Sequence, residues 1–177
     1  EEFIKGIKRD NEILKQLYED WKQIIDDPKY NTFIYKIKNE LLKAEFNDNK
    51  KLLVFSESKE TTKHIVERLK EDGISKILAI DSSNQKDYAE TIALNFDANI
   101  PIMEQKNDYD IIITTEVLAE GVNLHRSNII LNYDIPWNAT RLMQRIGRVN
   151  RIGTPSKDIY IYNFFPTSRT DNEIELN

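Results

Sequence analysis

The sequence predicts an α/β fold: a parallel sheet with helices on both faces, preceded by a helical extension. Three observations predict it. Short apolar runs recur at Leu52–Phe55, Ile77–Ile80, Ile111–Ile113, Ile129–Leu131 and Ile159–Tyr162. Runs that are apolar at every position suit strands buried on both faces, and strands alternating with helices argue for a parallel, doubly covered sheet. The first 47 residues instead place apolar residues at helical spacing.

Taken in order, Ile13, Leu14, Leu17, Trp21, Ile24 and Ile25 define the first helix, which Asp26-Asp27-Pro28 breaks. Phe33, Ile34, Ile37, Leu41 and Leu42 define a second, ended by Asn47-Asp48-Asn49. After the first strand, Ile65, Val66 and Leu69 mark a helix stopped by Gly73, with Ser58 as its expected cap. Residues 85–97 are expected to be helical. A last helix is expected from an Asn138 cap to Gly147. The expected organisation is a helical segment over 1–47, the α/β lobe over 48–167 and a polar tail over 168–177. Ligands of such sheets sit at the carboxyl ends of the strands, so the loops there are where chemistry is expected.

Composition narrows the function classes. The 177 residues suit one domain plus an extension. Cysteine is absent, which excludes disulfides, thiolate metal sites and cysteine nucleophiles. Two histidines far apart in sequence, His64 and His125, argue against a metal site. No apolar run is long enough to span a membrane, and an intracellular, cytoplasmic protein is expected. The chain starts at Glu1-Glu2 without an initiator methionine, as expected of a piece of a longer protein. Net charge is −5, so there is no chain-wide basic field. Yet Arg141, Arg145, Arg148 and Arg151 fall within one short stretch, and no Asp or Glu lies between Asp134 and Asp158.

That stretch, Gln144-Arg145-Ile146-Gly147-Arg148-Val149-Asn150-Arg151-Ile152-Gly153, is the strongest candidate for chemistry. Guanidinium is permanently charged and offers a planar fork of donors that fits phosphate. The ordinary alternative is a solvated basic helix end favoured by the helix dipole. A second segment, Thr114-Thr115-Glu116 through Gly121-Val122-Asn123-Leu124, follows a strand directly and places hydroxyls and a glycine where a phosphate or backbone could approach. The third is Leu53-Val54-Phe55-Ser56-Glu57-Ser58, whose serines suit either a backbone contact or a helix cap. None of the five glycines precedes a lysine, so the chain has no Gly-x-x-x-x-Gly-Lys loop for nucleotide phosphates. Asp134 lacks an adjacent carboxylate and is read as a loop residue.

These segments, with Asn132-Tyr133-Asp134-Ile135-Pro136-Trp137-Asn138 between the second and the first, resemble in order and spacing motifs IV, V and VI of superfamily 2 helicases. The resemblance covers about residues 50–165 and is most specific in motif VI. The Gly-Val-Asn-Leu and Asn-Arg-Ile-Gly signatures resemble Snf-type DNA translocases more than DEAD-box RNA helicases, which favour Gly-Arg-Thr-Gly-Arg. The resemblance implies the second RecA-like lobe of a two-lobed ATPase. ATP and Mg2+ would be held mainly by an absent first lobe, which would carry the phosphate-binding lysine. Arg148 and Arg151 would be arginine fingers, with Gln144 and Arg145 beside them and Gly121 and Asn123 facing the nucleotide. Ser56, Thr114 and Thr115 would face nucleic acid, DNA rather than RNA. Between Asp81 and Phe96 the chain departs from the family, having Ser82-Ser83-Asn84-Gln85 and no arginine. The alternative reading is a catalytically inactive, helicase-like interaction domain.

Overall fold

The structure is a computed structural model that describes residues 2–24, 26–43, 45–115 and 122–165. The chain divides into two compact units, Glu1–Phe33 and Ile34–Asn177, whereas the sequence reading put its boundary at residue 47. The first unit holds helix α1 (Glu2–Lys22), none of whose residues is buried, and the start of α2 (Pro28–Lys36). Asp27 prepares α2 by accepting the Tyr30 amide at 2.9 Å. The second unit opens with the end of α2 and a π-helical turn, Ile37–Leu41.

Five parallel strands follow: β1 (Leu52–Phe55), β2 (Ile77–Ile80), β3 (Ile111–Thr114), β4 (Ile129–Asn132) and β5 (Tyr160–Asn163). Their order across the sheet is β2-β3-β1-β4-β5. β1, β3 and β4 are buried at every residue, while the edge strand β5 is half-exposed. That explains why the inner strands read as unbroken apolar runs. Because side chains alternate between faces, Leu53, Phe55, Ile112 and Ile130 share one side. There they pack in a core with Ile92, Phe96 and Val149, contributed by α4 (Ala89–Phe96) and α5 (Ala139–Val149). α3 (Lys59–Glu71) lies against β2 and β3.

Local chemistry sets the helix limits. The Ser58 hydroxyl accepts the Thr61 amide at 3.0 Å and so caps α3. At its other end Gly73 adopts φ +84°, with Gly73 N donating to Lys70 O and Ile74 N to Leu69 O. This pair of bonds satisfies the last carbonyls and needs a residue at ease in the left-handed region. Asn138 caps α5 by accepting the Thr140 amide at 2.8 Å. Two expectations change. The helix expected over 85–97 starts only at Ala89, because side chains of the preceding loop bond its own backbone. Asp81 accepts from Ser83 N, and Asn84 both accepts from Asp81 N and donates to Ala79 O. Such local bonds compete with helix formation. And α5 runs through Gly147 to Val149, so Arg145 and Arg148 are both helical while Arg151 lies beyond the helix end.

Two buried cations brace the start of the strands. Lys51 is fully buried, donates to Tyr109 O and lies 5.0 Å from the centroid of the Phe96 ring. Burial, followed by the Arg126 charge, lowers its pKa to about 8. Arg126 donates to the Asn95 and Lys106 carbonyls at 2.8 and 3.0 Å, joining the end of α4 to the segment before β3.

Candidate functional site

The carboxyl ends of the strands form a register row of Ile80, Thr114, Phe55, Asn132 and Asn163. A buried arginine crosses this row. Arg145, 2% exposed, donates to Asn132 Oδ1 at 2.6 Å, to the Asp134 carbonyl at 3.2 Å and to Glu57 Oε1 at 3.0 Å. Its guanidinium carbon lies 4.8 Å from the centroid of the Phe55 ring. Glu57 also lies 3.6 Å from Arg141, and its amide donates to Asp134 Oδ2 at 3.2 Å. Asn132 in turn donates to Asn163 Oδ1 at 2.7 Å. One guanidinium thus ties β1, β4 and α5 together. A charge this deep is tolerated because a carboxylate and two oxygens satisfy it.

The hydroxyl residues of this edge are engaged inside the chain. Ser56 is fully buried, with its hydroxyl 2.7 Å from Thr62 Oγ1. Thr114 is fully buried and donates to the Thr115 carbonyl at 2.8 Å. Contact with a ligand through either hydroxyl requires these bonds to open. Thr115 is 8% exposed. Beside them runs a surface groove lined by Lys59, Lys63, Lys70, Asp81 and Asn84.

The other predicted residues lie on α5, just past its end and before β4. Gln144 is exposed and Arg148 half-buried. The Leu124 amide donates to the Arg148 carbonyl at 3.1 Å, so the segment before β4 is stitched to the last turn of α5. Arg151 is exposed; its Nη1 donates to Asn123 Oδ1 and its Nε to the Gly147 carbonyl at 3.3 Å. A turn holds its backbone: Thr154 N donates to Arg151 O at 3.0 Å, and Gly153 takes φ +94°. Only a residue without a Cβ adopts that angle cheaply. Asn123 Nδ2 donates to Asp97 Oδ2 at 3.0 Å. Asp97 Oδ1 accepts the Asn99 amide at 2.8 Å and stands 3.6 Å from Nδ1 of fully buried His125. Among the described residues, neither ring nitrogen of His125 finds a hydrogen-bond partner. Burial first, then the Arg151 charge against the opposing pull of Asp97, lowers the His125 pKa. Gly121 lies outside the described residues.

Sequence reasoning therefore named Asn123, Arg148 and Arg151 together, and the structure brings Asn123 and Arg151 into contact. It missed Asp97, His125 and Glu57. Asp97 lies 26 residues from Asn123, and nothing in its local sequence distinguishes it from a helix-ending carboxylate. Among the described residues no group of three or more His, Asp or Glu side chains is placed to hold a metal ion. Exposed and half-buried guanidinium groups beside an amide fit phosphate oxygens; they offer nothing to Mg2+. Among the described residues, no helix is long and apolar enough to cross a membrane.

The described residues form an all-parallel α/β lobe with an arginine-bearing helix end, and the sequence has no Gly-Lys phosphate loop. The comparisons with known proteins are specific. Residues 34–153 match the helicase conserved C-terminal domain, and the chain belongs to that family. It is 32% identical over 115 residues to an ATP-dependent helicase, YqhH, of Bacillus subtilis, covering 64% of this chain and 18% of that protein. It is 26% identical over 150 residues to the probable ATP-dependent RNA helicase ddx20 of Dictyostelium discoideum, covering 85% and 17%. The chain thus spans under a fifth of these relatives. In structure it is similar to the C-terminal part of the Fun30 ATPase domain (TM-score 0.66, 20% identity, 85% of this chain and 45% of that one). It is also similar to S. cerevisiae Dbp5 bound to RNA and ADP BeF3 (TM-score 0.58, 19% identity, 83% and 34%). These likenesses show the helicase C-terminal fold. They do not single out the Snf type, since RNA helicases stand among the relatives.

Proposed function

We propose that this chain is the C-terminal lobe of an ATP-dependent, nucleic-acid-driven motor, and that it supplies Arg148 and Arg151 to an ATP site completed by a first lobe. The observation that carries this reading is the pairing of Arg151 with Asn123 beside Arg148, next to the end of α5. Two permanent charges at that place suit a γ-phosphoryl group whose negative charge shifts during transfer. ATP and Mg2+ supply the phosphoanhydride bond and its charge neutralisation from the other lobe. The arginines here bind and orient the phosphate oxygens, and stabilisation of this kind is worth roughly 10³–10⁵ in rate. Gln144, also exposed, is positioned on the same helix to contact the nucleotide. The buried, bonded Arg145 instead holds the lobe in shape.

The nucleic-acid track is proposed to follow the lysine-lined groove beside α3 and the backbone at Ser56, Thr114 and Thr115. DNA remains our preferred substrate, on the Snf-type signatures; the RNA helicase relatives make RNA the competing outcome. Arg148→Ala in the full-length protein is expected to reduce stimulated ATP turnover by roughly a thousandfold or more, without changing the far-ultraviolet circular dichroism. Full turnover in that variant removes the finger assignment. Comparing stimulation by single-stranded DNA and RNA of one sequence decides the track.

A further inference from the structure

We infer that Asp97 is a positioning residue for the Arg151 finger, acting through the Asn123 side chain; the inference rests on the arginine-finger reading above. An asparagine amide has two faces, one donating and one accepting, and nothing in its shape says which way it points. Here its neighbours decide. The Asp97 carboxylate only accepts, so it draws Asn123 Nδ2 towards it, at 3.0 Å. That leaves Asn123 Oδ1 facing Arg151, whose guanidinium only donates. The Asp97 charge sets the polarity of the whole chain, carboxylate to amide to guanidinium. Turned the other way, the amide would present a donor to a donor and Arg151 would lose this anchor.

Two features around Asp97 fit that role. Its other oxygen is pinned by the Asn99 amide at 2.8 Å, which fixes the carboxylate at the end of α4. His125, whose Nδ1 stands 3.6 Å from Asp97 Oδ1, is fully buried, and that burial lowers its pKa and weakens its competition for the carboxylate. Arg151 Nε also donates to the Gly147 carbonyl at 3.3 Å, and its backbone is held in the turn by the Thr154 amide and hydroxyl. These place the start of the side chain; among the described residues Asn123 aims the guanidinium tip.

The variant that tests this is Asp97→Asn in the full-length ATPase with nucleic acid present. It keeps an oxygen for the Asn99 amide and replaces the acceptor facing Asn123 by a donor, which turns the Asn123 amide over. The expected result is a fall in kcat of about ten- to a hundredfold, as for misplacement of a catalytic group by a fraction of an ångström to an ångström. The KM for ATP should change by less than about threefold, because the lost interaction belongs to the transition state. The reciprocal pair, Asp97→Asn with Asn123→Asp, moves the carboxylate one link closer to Arg151 and restores an acceptor there. Recovery of kcat in the pair over the single variant supports the relay; no recovery overturns it. Unchanged kcat in Asp97→Asn overturns it too, provided that Arg151→Ala is inactive. If Arg151→Ala is itself fully active, the finger reading fails instead, and the two failures are thereby told apart.

Discussion

Arg145 and Arg151 sit six residues apart in one basic motif and live in opposite environments. Arg145 is 2% exposed and bonded through its two terminal nitrogens to Asn132, Asp134 and Glu57. Arg151 is exposed and held at its tip by a single amide. The first is a strut: its charge is spent on joining strands and helix, and it has little left for a ligand. The second is available, because an exposed guanidinium can exchange one neutral partner for phosphate at little cost. Equal chemistry at regular spacing thus conceals a division of labour, and burial is what divides it.

Several measurements would break or sharpen that contrast. The largest effect on stability is expected from Arg145→Ala, which leaves Glu57 without its buried partner. Glu57 is exposed and keeps Arg141 nearby, but the buried Asn132 oxygen loses its donor; that costs about 2–3 kcal/mol, read from urea unfolding of this chain. Arg151→Ala, by contrast, should change stability by less than about 0.5 kcal/mol, as exposed substitutions do. If the two variants unfold alike, the division is wrong. Next comes Gly153→Ala, which forces a Cβ into a backbone at φ +94°, with Asn99 Oδ1 3.6 Å away. It should cost about 1–2 kcal/mol and loosen the turn that seats Arg151, so turnover of the full-length protein should fall as well. The smallest effect is a pH dependence. His125 has its pKa lowered in the folded chain, so the folded state binds fewer protons than the unfolded state on the acid side. Its favourable contribution is complete above the ordinary histidine range and is lost as pH falls through the folded pKa. The stability curve of His125→Gln should therefore be flatter below about pH 6.5 than that of the parent. Parallel curves would mean that the imidazole is not kept neutral.

The strands were legible because burial on both sides makes them apolar without interruption, as in Leu52–Phe55 and Ile129–Leu131. Caps were legible at Ser58 and Asn138 because their bonds are local. The late start of α4 was not, since apolar spacing says nothing of Asp81, Ser83 and Asn84 bonding the backbone of their own loop. In the motif VI stretch the sequence could not tell the buried arginine from the exposed one. Glu57, the partner of Arg145, and Asp97, the partner of Asn123, are each brought in from more than twenty residues away. Arg145 and its partners stand at the carboxyl ends of the strands, where a ligand was expected. Arg151 and Asn123 gather instead in the segment leading into β4.

Lys51 has a consequence of its own. An amine whose pKa is about 8 is partly uncharged near neutrality, which ordinarily makes a lysine the fastest target of acylating reagents. This one is sealed beneath the sheet. A reagent for neutral amines should therefore label the surface lysines first and reach Lys51 only when the lobe opens. Its labelling rate becomes a clock for unfolding, readable by mass spectrometry in the native protein without any denaturant.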